Sequence, residues 1–151
     1  MEPGKKLNEM KTNETVLITG ENGALAKKLK FQLNYLGYNV ITFTSKKNSI
    51  NKNSHYWNIE KKILDLEALK KSDHIIHLAG YSIIKPWTKK NKKLMYDSRV
   101  QSSRLLLKEC KKNKVSIKTF ISASAIGYYD NKSTLEYQED SLPGKSWLSK
   151  L

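Results

Sequence analysis

Gly20 and Gly23 follow directly on an apolar run, residues 16–19, and open a helical pattern. A strand that passes into a helix through glycines makes a site for phosphate. The first amides of the helix lack intrahelical partners, and its dipole adds partial positive charge. In Gly20-x-x-Gly23-x-x-Ala26, Gly20 allows the tight turn out of the strand. Gly23 lets the backbone approach a pyrophosphate, and Ala26 takes the third small position, where helix packs on sheet. Glycines also end strands for purely structural reasons, so the pattern draws its meaning from lying between strand and helix.

Three further groups bear on the same chemistry. Dinucleotide sites read the adenosine ribose about 20 positions after the glycines, commonly with a carboxylate. Here that region is Thr44-Ser45-Lys46-Lys47, which has none. Hydroxyl and ammonium groups suit a 2′-phosphate, which favours NADP over NAD. The other reading, of equal weight, is two more surface lysines in a lysine-rich chain. Leu78-Ala79-Gly80 ends another apolar strand, and open α/β sheets bind ligands beyond the carboxyl ends of their strands. Plain strand termination is the alternative there. Ser124, in the run from Ile121 to Tyr129, stands where a strand-end serine can orient a substrate hydroxyl or carbonyl. By itself that signal is weak.

The elements that must position these residues are legible as alternating periods. Residues 16–19 and 39–44 read as strands, and 56–58 as a short third. Leu25, Leu29, Leu33 and Leu36 recur at helical spacing over residues 23–36, with Gly37 as the stop. Residues 45–55 read as a loop and 63–69 as a short helix. Residues 74–78 and 118–124 read as strands on either side of a long helix over 87–112, with Pro86 near its start. Pro143-Gly144 reads as a turn. Strands alternating with helices imply an α/β fold with a parallel sheet and right-handed crossovers.

The 151 residues suit one domain, read as a flexible leader over 1–14 and a folded unit over 15–151. The net charge of +14 is almost all lysine, with Arg99 and Arg104 the only arginines. Specific base reading favours the arginine fork, so no specific nucleic-acid partner is expected. No run approaches the roughly 18–20 apolar residues that cross a bilayer. Without a secretory signal, the expected location is cytoplasmic. Cys110 is the sole cysteine, which excludes an intrachain disulfide and a thiolate metal cluster.

Taken together the chain resembles the extended, atypical short-chain dehydrogenase/reductase superfamily, of NAD(P)-dependent epimerase/dehydratase type. Within it the resemblance is to the "epimerase family protein" branch. It rests on Leu17-Ile18-Thr19-Gly20-x-x-Gly23, Leu78-Ala79-Gly80, Trp87-Thr88, Asp97-Ser98-Arg99-Val100 and the run from Ser122 to Tyr129. An acidic segment, Glu136 to Asp140, and Pro143-Gly144 follow in order. The resemblance implies a Rossmann-type doubly wound parallel sheet with helices on both faces, C-terminally truncated. It implies that Gly20, Asn22, Gly23, Ala24 and Leu25 hold the phosphates of NADP, or of NAD. Thr44, Ser45 and Lys46 would lie near the adenosine ribose, and Leu78, Ala79 and Gly80 along the nicotinamide ribose. Arg99, counted with the cofactor positions, falls where many relatives carry a structural asparagine. Ser124 matches the serine that polarises the substrate oxygen.

Three departures accompany the resemblance. Glu21 stands where the branch usually has glycine, so its carboxylate is expected to face the phosphates or turn to solvent. Ala26 replaces the third glycine. The catalytic Tyr-x-x-x-Lys pair is expected to be absent, because it normally lies on a helix beyond the serine strand and the chain ends near where that helix would begin. This implies an N-terminal portion with little or no catalysis of its own. It also implies an unpaired sheet edge at residues 118–124 that invites self-association. The alternative is a non-catalytic nucleotide-sensing or scaffold protein on the same fold.

Overall fold

Every residue of β1 (Thr15–Thr19) is buried, as befits a strand covered on both faces in the middle of a parallel sheet. The computed structural model describes residues 12–130 and 136–151. The leader read over residues 1–14 therefore lies mostly outside the described residues. Within it, the Glu14 carboxylate meets Lys118 Nζ at 2.6 Å and His74 Nε2 at 3.2 Å.

β1 is flanked by β2 (Asn39–Thr44) and β5 (His74–His77), both parallel to it, in the registers Ile18↔Thr42 and Ile18↔Ile76. β3 (Ser54–Asn58) extends the sheet beyond β2, and β6 (Thr119–Ser122) extends it beyond β5. The short β4 (Ile63–Leu64) closes the far edge antiparallel to β3, giving the order β4-β3-β2-β1-β5-β6. The chain first winds outward from β1 to β3, then returns across β1 to β5 and β6. The reversal between β1 and β5 is the switch point at which such sheets open a crevice at their carboxyl ends. At the other edge β6 pairs with β5 alone among the described strands, and its Ile121 is half exposed.

Helices cover both faces. α1 (Ala24–Tyr35) lays Ala26, Leu29 and Leu33 on Val16, Ile18 and Val40. The opposite face carries α2 (Leu66–Lys70) and α4 (Ser102–Lys112). Their Leu69 and Leu106 are fully buried against Leu17, Phe43, Trp57 and Ile75. This is a Rossmann-type doubly wound α/β fold.

Several elements depart from the sequence expectation for local reasons. Leu25 and Leu36 are half exposed, because the buried stripe of α1 centres on Ala26 and Leu33, to one side of them. The segment read as one helix over 63–69 splits. Leu64 pairs with Trp57 in β4, and the Asp65 side chain then caps α2 by accepting from the Ala68 amide at 3.1 Å. The loop over 45–55 contains a 3-10 turn, Lys47–Ser49, and β3 already starts at Ser54. The turn expected at Pro143-Gly144 falls earlier, where the Ser141 amide donates to the Gln138 carbonyl.

The long helix over 87–112 begins two residues late, at α3 (Lys89–Tyr96). There the Thr88 hydroxyl accepts from the Asn91 amide. A π-helical turn, Asp97–Gln101, separates α3 from α4. Serines collect carbonyls around this widened turn: Ser98 Oγ donates to Met95, and Ser103 Oγ to Arg99.

Candidate functional site

The turn leaving β1 contains the two glycines, and they are glycine for different reasons. Gly20 has φ +77°, a left-handed conformation that side chains disfavour. A Cβ there would lie 2.8 Å from the Leu78 carbonyl oxygen and 2.9 Å from the Ala79 nitrogen. Gly20 thus presses the β1 turn against the end of β5. Gly23 has ordinary extended dihedrals, φ −69° and ψ 147°, so its conformation asks for no glycine. A Cβ on it would meet only the Gly20 carbonyl oxygen, at 3.3 Å, and otherwise open space. No side chain caps α1, and its first turn holds no acidic residue. Open space before uncapped amides is a cradle that a pyrophosphate fits and a side chain would fill. Asn22, Ala24 and Leu25 are exposed around it.

Behind this turn runs a buried polar relay. Thr19 Oγ1 accepts from the amides of Leu78 and Ala79, both at 3.1 Å. Its own proton therefore goes to His77 Nδ1, 2.7 Å away. His77 Nε2 then carries the ring proton and donates to Ser102 Oγ at 2.9 Å, and Ser102 donates to the Ser98 carbonyl at 2.7 Å. The chain of bonds ties β1, β5, α4 and the π turn together beneath the crevice.

Burial pushes His77 below its ordinary value of 6.5, so the folded protein holds the ring neutral. The unfolded chain takes up a proton near 6.5 while the folded one resists it. Stability from this group is therefore complete above pH 6.5 and is lost as the pH falls below it. The urea midpoint should drop between pH 7.5 and pH 5.5. His77→Leu, though less stable throughout, should lose that part of the slope.

Leu78, Ala79, Gly80, Arg99 and Ser124 come together along one cleft of about 650 Å³ between the ends of β5 and β6 and the π turn. The cleft does not include the glycine turn or residues 44–46. The Arg99 guanidinium lies over Gly80, where a Cβ would come within 3.0 Å of it. Its Nη1 donates to the carbonyls of Tyr81 at 3.0 Å and Met95 at 3.2 Å. Arg99 thereby holds the strand-end loop to the π turn, work suited to the structural position that the resemblance assigned it. Ser124 is exposed, beyond the end of β6.

Thr44 is buried at the end of β2, and Ser45 and Lys46 are exposed beside it. Glu21 adds to the expectation: it is partly exposed, but its carboxylate turns back onto the sheet. Its Oε2 accepts from Thr42 Oγ1 and Ser54 Oγ, both at 2.8 Å. Nothing in the residue order shows this contact, since Ser54 follows Glu21 by 33 positions.

A correction concerns the tyrosine–lysine spacing. Tyr128 stands four residues before Lys132, so the Tyr-x-x-x-Lys pattern is present as residue types. Tyr128, however, lies in a 3-10 turn, Ile126–Tyr128, and Lys132 lies outside the described residues. Among the described residues no three His, Cys, Asp or Glu side chains cluster as metal ligands would, and no helix is long and apolar enough to cross a membrane.

The switch point, the glycine turn and the helices on both faces define a Rossmann-type domain. The chain belongs to the NAD dependent epimerase/dehydratase family, whose profile matches residues 16–146. An epimerase family protein of Bacillus subtilis, YfhF, is 33% identical over 129 residues, covering 83% of this chain and 42% of the relative. The crystal structure of a nucleoside-diphosphate sugar epimerase from Corynebacterium glutamicum matches with a TM-score of 0.75 and 27% identity, over 92% of this chain and 28% of that one. The human epimerase family protein solved with NADPH matches in fold, with a TM-score of 0.71 and 24% identity, over 90% of this chain and 45% of that one. The chain spans less than half the length of the curated relatives it matches.

Proposed function

We propose that this chain is the NAD(P)-binding portion of an epimerase- or dehydratase-like oxidoreductase, with little or no catalysis by itself. The open face of Gly23 before the uncapped start of α1, beside the switch point, carries this reading. The first amides of α1, from Ala24 on, take the diphosphate; the Gly23 amide is held by the Gly20 carbonyl at 2.9 Å. The end of β2 at Thr44, Ser45 and Lys46 takes the adenosine ribose, and Leu78 to Gly80 border the nicotinamide ribose. Lys46 suits a 2′-phosphate, and the Glu21 carboxylate beside the same strand suits a free 2′-hydroxyl. When bound, the nicotinamide supplies hydride exchange with a substrate carbon. Ser124, across the cleft from Gly80, donates a hydrogen bond to the substrate oxygen.

Isothermal titration with NADH, NADPH and ADP-ribose tests this. Saturable binding of at least one reduced dinucleotide is expected, with ADP-ribose retaining much of the affinity because it carries the whole diphosphate. Absence of heat with all three ligands at millimolar concentration refutes the proposal.

A further inference from the structure

Glu21 is an acidic residue inside a turn that otherwise has the chemistry of an anion site. Its place is held by the sheet, on the face that α1 covers and that Val40 shares with Thr42 and Thr44. Thr42 and Thr44 on β2 and Ser54 on β3 are all buried, with 1%, 2% and 3% of their surface exposed. Thr42 and Ser54 give their hydroxyl protons to Oε2. Burial pushes the Glu21 carboxyl up, but donation from Thr44, Ser54 and Thr42, with Lys30 nearby, outweighs it and holds the group below its ordinary value. The carboxylate cannot swing aside without taking the acceptor from the buried Ser54 hydroxyl, which is costly; Thr42 Oγ1 would keep only its longer bond to the Asn53 carbonyl at 3.3 Å. A fixed negative charge therefore stands against the carboxyl end of β2. That strand supplies no acid of its own: Thr44 is followed by Ser45 and Lys46.

We propose that Glu21 reads the adenosine ribose, favouring NAD(H), whose 2′-hydroxyl it accepts, over NADP(H), whose 2′-phosphate it repels. The inference rests on the dinucleotide reading above. A carboxylate offers about four acceptor positions, and the Thr42 and Ser54 hydroxyls both bond Oε2, which leaves room for a ribose hydroxyl. A 2′-phosphate brings up to about two further negative charges and no donor at neutral pH. The lysines after β2 offset this weakly. Lys47 already lies over the Tyr56 ring, 5.8 Å from its centroid, and Lys46 is exposed, where solvent screens its charge. The acid that relatives of this fold class commonly place at the end of the second strand is here delivered by the β1 turn.

Titration of NADH against NADPH, and of ADP-ribose against its 2′-phospho form, tests the assignment in the full chain. The wild type should bind the partner lacking the 2′-phosphate more tightly. Glu21→Gln keeps the size and an acceptor oxygen while removing the charge. It should shift the affinity ratio toward the 2′-phosphorylated ligands by on the order of tenfold, given a partly screened charge pair. A wild type that prefers NADPH overturns the proposal, and this measurement does not depend on how the variant folds. So does a Glu21→Gln protein with an unchanged melting temperature and an unchanged ratio, which would leave Glu21 only a tie between the turn and strands β2 and β3. Failure of the wild type to bind any of the four ligands would sink the dinucleotide reading itself, a result distinct from an unchanged ratio.

Discussion

Gly20→Ala should destabilise the fold by about 3 kcal/mol or more, a large share of the roughly 5–15 kcal/mol that holds a domain together. Two costs add. The left-handed φ of +77° disfavours any side chain, at about 1–2 kcal/mol. The new methyl would also sit 2.8 to 2.9 Å from three backbone atoms of Leu78 and Ala79. Those atoms cannot retreat, because their amides are held by Thr19 Oγ1 and through it by His77 and Ser102. The relay beneath the crevice and the turn above it are thus one rigid unit. Thermal unfolding should show a melting temperature lower by about 10 °C, at the few degrees per kcal/mol typical of this chain length. A change under about 2 °C would show that the β1 turn and the β5 end move apart at little cost.

Gly23→Val should have the opposite profile, with a nearly intact fold and lost binding. At φ −69° and ψ 147° a branched side chain is at ease, and its Cβ would touch only the Gly20 carbonyl oxygen. The stability cost is that of a poorer helix cap, about 1 kcal/mol. The side chain would fill the space before the α1 amides, where the diphosphate is proposed to lie. NADH and NADPH affinity should both fall by about a hundredfold or more, since a charged group loses its hydrogen bonds without replacement. Titration on a protein whose melting temperature is checked in parallel reads this directly. Unchanged affinity would move the phosphates elsewhere. The proposal thereby gives the two glycines, three residues apart, separate tasks: Gly20 in the architecture and Gly23 at the ligand.

Much of this architecture was legible in the chain. The apolar runs over residues 16–19, 39–44 and 74–78 are strands to within one or two residues, because each lies in a sheet covered on both faces and needs no partner-specific pattern. The breaks in the reading came where one contact outweighed local pattern. Ile63 and Leu64 suit a helix until Trp57 and Asn58 offer a strand to pair with. The stretch over 87–112 reads as one helix, with Leu94, Val100, Leu105 and Leu106 in it, yet it widens at Asp97–Gln101. There the serines around Arg99 can take up the displaced carbonyls.

The residue order by itself determined that a parallel α/β sheet would meet a helix at Gly20-x-x-Gly23, since hydrophobic period and glycine placement are local properties. It also made Leu78 to Gly80 and Ser124 candidates for one site. Only the tertiary structure decided what Glu21 does, because a carboxylate's effect depends on which donors surround it, and Thr42, Thr44 and Ser54 reach it through strand pairing. The same holds for His77, neutral because the fold buries it between Thr19 and Ser102. Charge and protonation are set by neighbours in space, and distance along the chain does not encode them.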